Sequence, residues 1–356
     1  MGSTHRIGVV GLGVISKVYL ETLSQARDAA ITAVADLDPS KARTVADSLP
    51  AARALSVSEL LGADDVDVVL NLTIPAAHAE IALGAIENGK DVYGEKPLAA
   101  TFADASRIMS EAGAAGVRVG AAPDTVLGTG VQTARAVIDA GEIGRPLAAT
   151  AVMVTPGHER WHPHPDFYYQ PGGGPLLDMG PYYVTSLVQL LGPVARVIGA
   201  GSSLRDERVI GSGPRAGESI PVDVDSHVTG ILEHASGALS TITTTFDGVA
   251  TKAPNIEVHG ETASLIVPDP NHFDGDVLRH PLGGSGWEVV PPRAGVVGAA
   301  RGAGLLDMMR GATPRASGAM GLHVLEIMTG LLESARSGRR VELATTVERP
   351  PLVPLG

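Results

Sequence analysis

The sequence has no cysteine among its 356 residues. This absence excludes disulfide bonds, thiolate catalysis and the zinc or iron–sulfur sites that depend on cysteine. There is also no run of about 18 apolar residues, the length that a membrane-spanning helix needs. The N-terminal MGSTHRIGVVG enters a strand-like run almost at once and leaves no room for a secretion signal, and Gly2 fits a short leader better than a myristoylation site. We therefore expect a cytoplasmic protein.

Blocks of lysine and arginine are absent as well, and the formal net charge is −12. Phosphate backbones require a basic binding surface, so nucleic acid is not expected as a partner. A membrane is not expected as a partner either, because no apolar run is long enough to span one. With 44% hydrophobic and 19% charged residues, the composition is that of a folded globular protein. The length exceeds that of most single cores and predicts two domains, with a boundary between residues 122 and 123.

Strand and helix signals alternate over residues 1–122, which is typical of a parallel α/β sheet. After residue 123 the strands are longer and rich in valine, threonine and isoleucine. Segments such as STITTTF alternate apolar and polar residues, which indicates an open, mostly antiparallel sheet with one covered face. We expect long Pro/Gly-rich loops at 156–175, 203–222 and 268–305.

The segment GVVGLGVIS is typical of a dinucleotide-binding turn because it directly follows the first strand and precedes a helix. Gly11 provides the turn, and Gly13 allows the backbone to approach a pyrophosphate at the helix N-terminus. The next two residues, Val14 and Ile15, are also predicted to bind the cofactor. Asp36 ends the second strand, where a carboxylate accepts hydrogen bonds from the adenosine ribose. Leu37 follows Asp36, which favours NAD over NADP. Simple turn glycines and a capping aspartate are the alternatives.

A candidate catalytic segment lies at the end of a later strand, in GKDVYGEKPLA. Glu95, Lys96 and Pro97 follow one another there. Ligands bind at the carboxyl edge of open α/β sheets. A lysine at this edge can stabilise a developing alkoxide or transfer a proton beside the nicotinamide. The alternative is a solvated surface lysine.

Together these segments resemble the Gfo/Idh/MocA family, the relatives of glucose–fructose oxidoreductase and inositol dehydrogenase. The resemblance covers nearly the whole chain and rests on Gly11-x-Gly13, Asp36, TIPAAHAEIALGAIENGKDVYGEKPLA (73–99), GEIGRP (141–146), GGGPLLDMG (172–180), VHGETASLIV (258–267) and HVLEIMTGLLESARSG (323–338).

The resemblance implies a Rossmann domain at 1–122 and, at 123–356, an α/β domain for substrate binding and oligomer contacts. It implies NAD(P)-dependent oxidation or reduction of a sugar, polyol or glycoside, with Lys96 as the catalytic lysine. It also implies that the Lys96–Pro97 peptide is cis. The resemblance further implies that Thr73, Pro75 and His78 line the nicotinamide side, and Glu95 and Lys96 are the other candidate cofactor-binding residues of this edge.

The sequence departs from the family pattern at two places. The family commonly continues its aspartate as D-x-G-x-H, whereas Asp178 is followed by Tyr182 at the histidine position. Tyr182 then either replaces the histidine as acid/base, with Asp178 orienting the substrate, or packs as an aromatic residue, as we expect of Tyr183. The second departure is GAAPDTVLG (120–128), where Asp124 and Thr125 are candidate sugar ligands and helix capping is the alternative for Asp124.

The segment PGHERWHPHPDFYYQPGGG (156–174) is dense in polar and aromatic residues. We expect a substrate loop in which Trp161 is an apolar platform and Arg160, His162, Tyr168 or Tyr169 contact hydroxyls. Prolines between its histidines break helical spacing, so no bound metal is expected. A loop that packs on its own domain or on a neighbouring subunit is the alternative.

These residues favour an NAD-dependent dehydrogenase of carbohydrates that forms a homo-oligomer, a dimer or tetramer. Two other functions stay open. One is a glycosidase that oxidises a sugar transiently with NAD, eliminates the glycosidic bond and then reduces the sugar again. The other is a regulator that binds dinucleotide and sugar without turnover.

Overall fold

The computed structural model describes residues 4–311 and 313–356, so the proposed leader at Gly2 lies outside the described residues. The described chain divides into two compact units. The N-terminal unit runs to Leu127 and also contains Ala299–Leu322, and the C-terminal unit contains Gly128–Gly298 and His323–Gly356. The sequence placed the boundary at residue 122 and did not assign 299–322 to the N-terminal unit.

The N-terminal unit is built on a parallel sheet. Its described strands are β1 (His5–Val10), β2 (Ala29–Ala35), β3 (Arg53–Ala54), β4 (Val68–Asn71), β5 (Asp91–Gly94) and β6 (Val119–Ala121). They are ordered 3-2-1-4-5-6, and every neighbouring pair is parallel. All four residues of β4 are buried, as expected for a strand that is covered on both faces. This order is that of a Rossmann fold and confirms the prediction.

Five helices of this unit follow its strands in the chain: α1 (Ser16–Ser24), α2 (Pro39–Asp47), α3 (Val57–Leu61), α4 (Pro75–Glu87) and α5 (Phe102–Ala115). Helix α2 begins where the Asp38 carboxylate accepts a hydrogen bond from the Ser40 N–H and Pro39 occupies the first turn. Helix α5 ends at Gly116, which has a left-handed conformation.

The C-terminal unit is built on a mixed sheet. Its described strands are β7 (Pro146–Val154), β8 (Val194–Ser202), β9 (Glu207–Val209), β10 (Ser219–Pro221), β11 (His227–His234), β12 (Leu239–Thr245), β13 (Ile256–Gly260), β14 (Ala263–Val267), β15 (Val277–Pro281), β16 (Glu288–Val290) and β17 (Val341–Glu342).

Nine of these described strands form one sheet, in the order 16-15-14-13-7-12-11-8-17. Within the described chain, β7 and β12 are its one parallel pair. Helices α6 (Thr129–Asp139) and α7 (Pro175–Leu191) pack on this unit, and α7 contacts β7, β11 and β12. Burial alternates along β7, as expected for a sheet with one covered face. The prediction of an open, mostly antiparallel sheet is confirmed.

Two of the predicted loops contain secondary structure. Strands β9 and β10 pair within 203–222, and β15 and β16 pair within 268–305. The loop at 156–175 contains two short 3-10 turns, His158–Arg160 and Asp166–Tyr168. The missed strands are short and lie in Pro/Gly-rich segments, so they show little of the alternation that identifies a strand.

The segment 299–322 returns to the N-terminal unit through helix α8 (Ala303–Arg310), which packs on β6. Arg118, next to β6, donates hydrogen bonds from Nη1 to the carbonyl oxygens of Met308 and Gly311. Helix α9 (Gly318–Ser337) begins in this segment and continues into residues of the C-terminal unit. None of the helices in the described ranges has the length and apolarity to cross a membrane.

Candidate active site

The turn between β1 and α1 has the form expected of a dinucleotide-binding loop. Gly11 has a φ of +92°, and a Cβ at this position would lie 2.7 Å from the carbonyl carbon and oxygen of Leu72. The fold itself therefore requires glycine at position 11. Gly13 is exposed and does not have a positive φ, and a Cβ there would meet no atom of the described chain within 4 Å. The space beside Gly13 is thus available to a ligand.

The N-terminus of α1 is suited to an anion. No side chain in the described structure caps this helix, whose N-cap residue is Ile15. Ser16 is buried, and its hydroxyl donates to the Gly13 carbonyl at 2.7 Å, which closes the turn. Val14 is 96% exposed. The N–H groups of the first helical turn can therefore donate hydrogen bonds to a pyrophosphate.

Asp36 lies at the end of β2 and is held by this turn. Its Oδ2 accepts a hydrogen bond from the Leu12 N–H at 2.8 Å, and its Oδ1 accepts one from the Asp38 N–H at 2.9 Å. A carboxylate has about four acceptor positions, so the residue retains capacity for ribose hydroxyls. Leu37 is 95% exposed next to it. The carboxylate fits the unphosphorylated ribose of NAD.

Lys96 directly follows Glu95 at the end of β5, beside the ends of β4 and β6. It is half-buried, and its peptide bond to Pro97 is cis, as the resemblance implied. Glu95 is buried, and its two oxygens accept from the Tyr19 hydroxyl at 2.7 Å and from the Lys96 N–H at 3.0 Å. Burial, followed by the nearby Glu95 charge, raises the pKa of the Tyr19 phenol well above its usual value. Glu95 thus connects the cofactor helix α1 to the lysine.

His78 and Asn71 connect the loops that follow β4 and β5. The His78 ring nitrogens lie 2.7 Å from the Pro97 carbonyl oxygen (Nδ1) and 3.0 Å from the Thr73 carbonyl oxygen (Nε2). Asn71 donates to the His78 carbonyl oxygen and accepts from the Thr73 hydroxyl at 2.6 Å. Burial lowers the pKa of His78. Asn71 was not among the predicted site residues, although a polar residue at the end of an apolar strand is a usable signal.

These contacts bear on four of the predicted cofactor-binding residues, His78, Glu95, Pro75 and Thr73. His78 is 2% exposed and both of its nitrogens face backbone carbonyls, so it braces two loops instead of lining a ligand surface. Glu95 is likewise buried and occupied by protein donors. Pro75 is exposed at the first position of α4, and Thr73 is half-buried beside it. Of these four residues, Thr73 and Pro75 therefore remain available to a ligand.

The predicted sugar ligands Asp124 and Thr125 are enclosed by protein, so the substrate prediction is wrong for this structure. Both side chains are 0% exposed. The Oδ2 of Asp124 accepts from the N–H groups of Gly302 and Gly304, at 2.8 and 3.1 Å, and thereby caps α8. Asp124 is not the N-cap residue of α8, which is Gly302; its carboxylate caps this helix from a distant part of the chain. Burial raises the pKa of Asp124 to about 6.

In the C-terminal unit, α7 carries the predicted catalytic pair. Asp178 lies in the first turn of this helix, and its side chain is 18% exposed. Tyr182, one turn later, is 5% exposed. Tyr183 is buried, and its hydroxyl accepts a hydrogen bond from Asn255 Nδ2 at 2.8 Å, in agreement with the packing role expected for it.

Asp178 has a partner that the sequence analysis did not assign. The Nε2 of His158 lies 3.0 Å from the Asp178 Oδ2. His158 is 8% exposed and lies in the first 3-10 turn of the 156–175 loop. His158 was not predicted as a partner of Asp178, because a contact between side chains 20 residues apart in a loop and a helix has no periodic signal in the sequence.

The loop at 156–175 presents some of its predicted residues and encloses others. Arg160 and Trp161 are exposed, and His162 and Tyr168 are half-buried. Burial lowers the pKa of His162. Tyr169 is 0% exposed and donates its hydroxyl hydrogen to Glu159, so this tyrosine is structural and does not contact hydroxyls of a substrate. Across the described ranges, no cluster of three or more potential ligands could hold a metal ion.

Family models match both units. The model described as the oxidoreductase family with an NAD-binding Rossmann fold matches residues 5–122, and the GFO/IDH/MocA C-terminal domain matches residues 131–266.

Curated relatives include polyol and sugar enzymes. The myo-inositol 2-dehydrogenase of Thermotoga maritima is 29% identical over 73% of this chain and 74% of its own length. Inositol 2-dehydrogenase 3 of Saccharopolyspora erythraea is 37% identical over 43% of this chain and 46% of its own. The 1,5-anhydro-D-fructose reductase of Ensifer adhaerens is 39% identical over 35% of this chain and 37% of its own. This chain thus spans less than half of the last two relatives.

Solved structures share the fold along almost the entire chain. An NAD binding oxidoreductase from Klebsiella pneumoniae superposes with a TM-score of 0.83 at 21% identity, covering 97% of this chain and 100% of its own. The apo form of levoglucosan dehydrogenase has a TM-score of 0.81 at 22% identity, with the same coverage. The matches to both domain models, together with this fold, show that the chain belongs to the Gfo/Idh/MocA family of oxidoreductases, with an NAD-binding Rossmann domain.

Proposed function

We propose that the chain is an NAD-dependent dehydrogenase that acts on a CH–OH group, or the corresponding keto carbon, of a sugar, polyol or glycoside. One observation carries the proposal. Gly13, Asp36 and Lys96 follow the carboxyl ends of β1, β2 and β5 in one parallel sheet, so a lysine accompanies the dinucleotide turn at the ligand-binding edge.

The residues of this edge fit NAD. The turn at Gly13 and the uncapped start of α1 would hold the pyrophosphate, and the Asp36 carboxylate would accept hydrogen bonds from the adenosine ribose. Bound NAD would supply the hydride acceptor or donor. Exposed Lys41 and Arg43 on α2 are the nearest cations in sequence to Asp36, so NAD(P) preference needs measurement.

Three side chains would act on the substrate. The Lys96 ammonium would donate a hydrogen bond to the reacting oxygen and stabilise the negative charge that develops on it. The Asp178 carboxylate would accept a hydrogen bond from a substrate hydroxyl and orient the reacting carbon. Tyr182 would transfer the hydroxyl proton in place of the histidine that the family commonly has. Arg160, Trp161, His162 and Tyr168 would contact the rest of the substrate.

The substrate class follows from the relatives, whose names describe inositol, anhydrofructose and levoglucosan enzymes. The test is a panel of polyols, sugars, anhydrosugars and glycosides with NAD⁺ or NADP⁺, followed by nicotinamide absorbance and by product analysis. Equimolar ketone and NADH support the proposal. Glycoside cleavage without accumulation of NADH would identify the transient-oxidation glycosidase instead. Dinucleotide binding without turnover of any compound would identify a regulator.

The cytoplasmic location and the homo-oligomer remain proposals. For the oligomer, the support is the open face of the sheet, where Ile198 and Ile231 are paired across β8 and β11 and are 41% and 38% exposed. A second copy of the chain that covers this face would bury them. Light scattering coupled to gel filtration measures the oligomeric state, and a monomer at micromolar concentration would contradict this proposal.

A further inference from the structure

The loop segment before α7 is anchored by a buried charged network. Glu159 and Arg208 form an ion pair at 3.3 Å with side chains 6% and 2% exposed, and Arg208 also binds Asp247 at 2.5 Å. Tyr169 donates to the second Glu159 oxygen. Gly157 has a φ of +106°, and the Glu159 carboxylate fills the space that a Cβ at Gly157 would need. The backbone on both sides of His158 is therefore fixed.

The His158 imidazole is also held by aromatic rings. Its ring centroid lies 4.5 Å from that of Phe246, 4.6 Å from that of Tyr168 and 5.2 Å from that of Trp161. Two of these rings meet the imidazole edge to face, and Phe246 is tilted against it. Because backbone and ring are both held, the imidazole presents its Nε2 in one direction.

That direction is toward Asp178, at 3.0 Å from the Oδ2. A carboxylate accepts hydrogen bonds, so Nε2 carries the hydrogen. Nδ1 is buried and has no hydrogen-bond partner in the described structure, so the tautomer with its hydrogen on Nε2 leaves no donor unsatisfied. His158 thus supplies a directed donor to the Asp178 Oδ2.

We infer that His158 is a positioning residue of the catalytic centre, which fixes the Asp178 carboxylate in the orientation that receives the substrate hydroxyl. The inference rests on the proposed function, because it gives Asp178 a role in substrate binding. His158 itself is enclosed by the rings of Phe246, Tyr168 and Trp161, so its role is to hold Asp178 and not to contact the reacting atoms. A small rotation of a positioning carboxylate reduces the rate of the chemical step more than it reduces cofactor binding.

The test compares three variants of the full chain with the substrate found in the panel. H158L removes the donor, H158Q keeps an amide donor at the reach of Nε2, and H164L is a matched control on an exposed histidine of the same loop. We expect H158L to lower kcat by about 10- to 100-fold, with NAD affinity unchanged within about twofold. H158Q is expected to recover most of kcat, and H164L to behave as wild type.

The outcomes distinguish a failure of the positioning role of His158 from a failure of the proposed dehydrogenase activity. If wild type turns over substrate and H158L retains its kcat, the positioning role is overturned and the dehydrogenase stands. Equal losses in H158L and H158Q would also overturn it, because a retained donor should rescue. A wild type without turnover overturns the dehydrogenase and, with it, the role of His158. If H158L does not fold, H158N provides the comparison with H158Q, because its amide is one methylene too short to reach Asp178.

Discussion

At the residue scale, two glycines of one turn serve different purposes. Gly11 is demanded by the backbone, because it combines a positive φ with a close approach to Leu72 and Thr73. Gly13 has neither constraint and faces open space. A sequence motif does not distinguish the two glycines, whereas the structure shows that the backbone requires glycine at position 11 and leaves open space at position 13.

We expect G13A to fold like wild type and to bind NAD at least about tenfold more weakly, because its methyl group occupies the space of the pyrophosphate. G11A is the paired comparison, and we expect it to lose more than about 1 kcal/mol of stability through backbone strain. Thermal unfolding and NADH fluorescence titration measure both effects. Unchanged NAD affinity in G13A would show that the turn does not hold the cofactor.

Asp124 gives the N-terminal unit a pH-dependent stability. Burial raises its pKa to about 6 from an ordinary value of 3.8, so the folded state holds this proton more tightly than the unfolded state. Its contribution to stability is therefore complete below about pH 4 and is lost as the pH rises through about 6. In D124N the amide oxygen still accepts from Gly302 and Gly304, but the group no longer titrates.

We expect the free energy of unfolding of D124N, relative to wild type, to rise by roughly 2.5 kcal/mol between pH 4 and pH 7. Urea unfolding at several pH values measures this difference. A difference that is constant over this range would contradict the assigned pKa.

At the scale of elements, buried ion pairs anchor the 156–175 loop. The ion pairs of Arg208 with Glu159 and Asp247 connect the loop to β9 and to the residues after β12. Removal of one member of a buried pair leaves the other charge without compensation, which typically costs about 3–5 kcal/mol. The loop is therefore a fixed platform beside α7 and not a lid that opens freely.

We expect R208M to lose about 3–5 kcal/mol of stability and to become susceptible to proteolysis within 156–175. R145M is the control, because Arg145 pairs with Glu261 at 3.4 Å with side chains 74% and 48% exposed, and such pairs contribute about 1 kcal/mol or less. Similar losses in the two variants would contradict the anchoring role.

The regular elements could be predicted from sequence wherever a period was long enough to detect. The alternation of the first 122 residues and the Thr/Val strands after 146 predicted both sheets. Strands β9 and β16, with three residues each, are too short to show a period. The contact between His158 and Asp178 depends on how the loop folds back onto α7. Local sequence patterns do not predict such a contact.

At the scale of the whole molecule, each of the two units is built from two separate segments of the chain. Segment 299–322 returns to the N-terminal unit before the last strand of the C-terminal sheet, β17, is reached, and α8 then meets β6 and the Asp124 carboxylate. This return explains why Asp124 caps a helix far along the chain, a role that residues 120–128 alone could not reveal. The motifs at Gly13, Asp36 and Lys96 were readable because each lies at the end of a strand of one sheet.

The most direct test of the central claim is the replacement of Lys96. We expect K96M to lower kcat for the carbohydrate substrate by about 1,000-fold or more, because the reacting oxygen loses its charged donor, and to leave NADH affinity within about threefold of wild type. The measurement combines steady-state NADH formation with NADH titration of both proteins. Loss of turnover with retained NADH binding is the predicted result, and near-normal turnover in K96M would contradict the account.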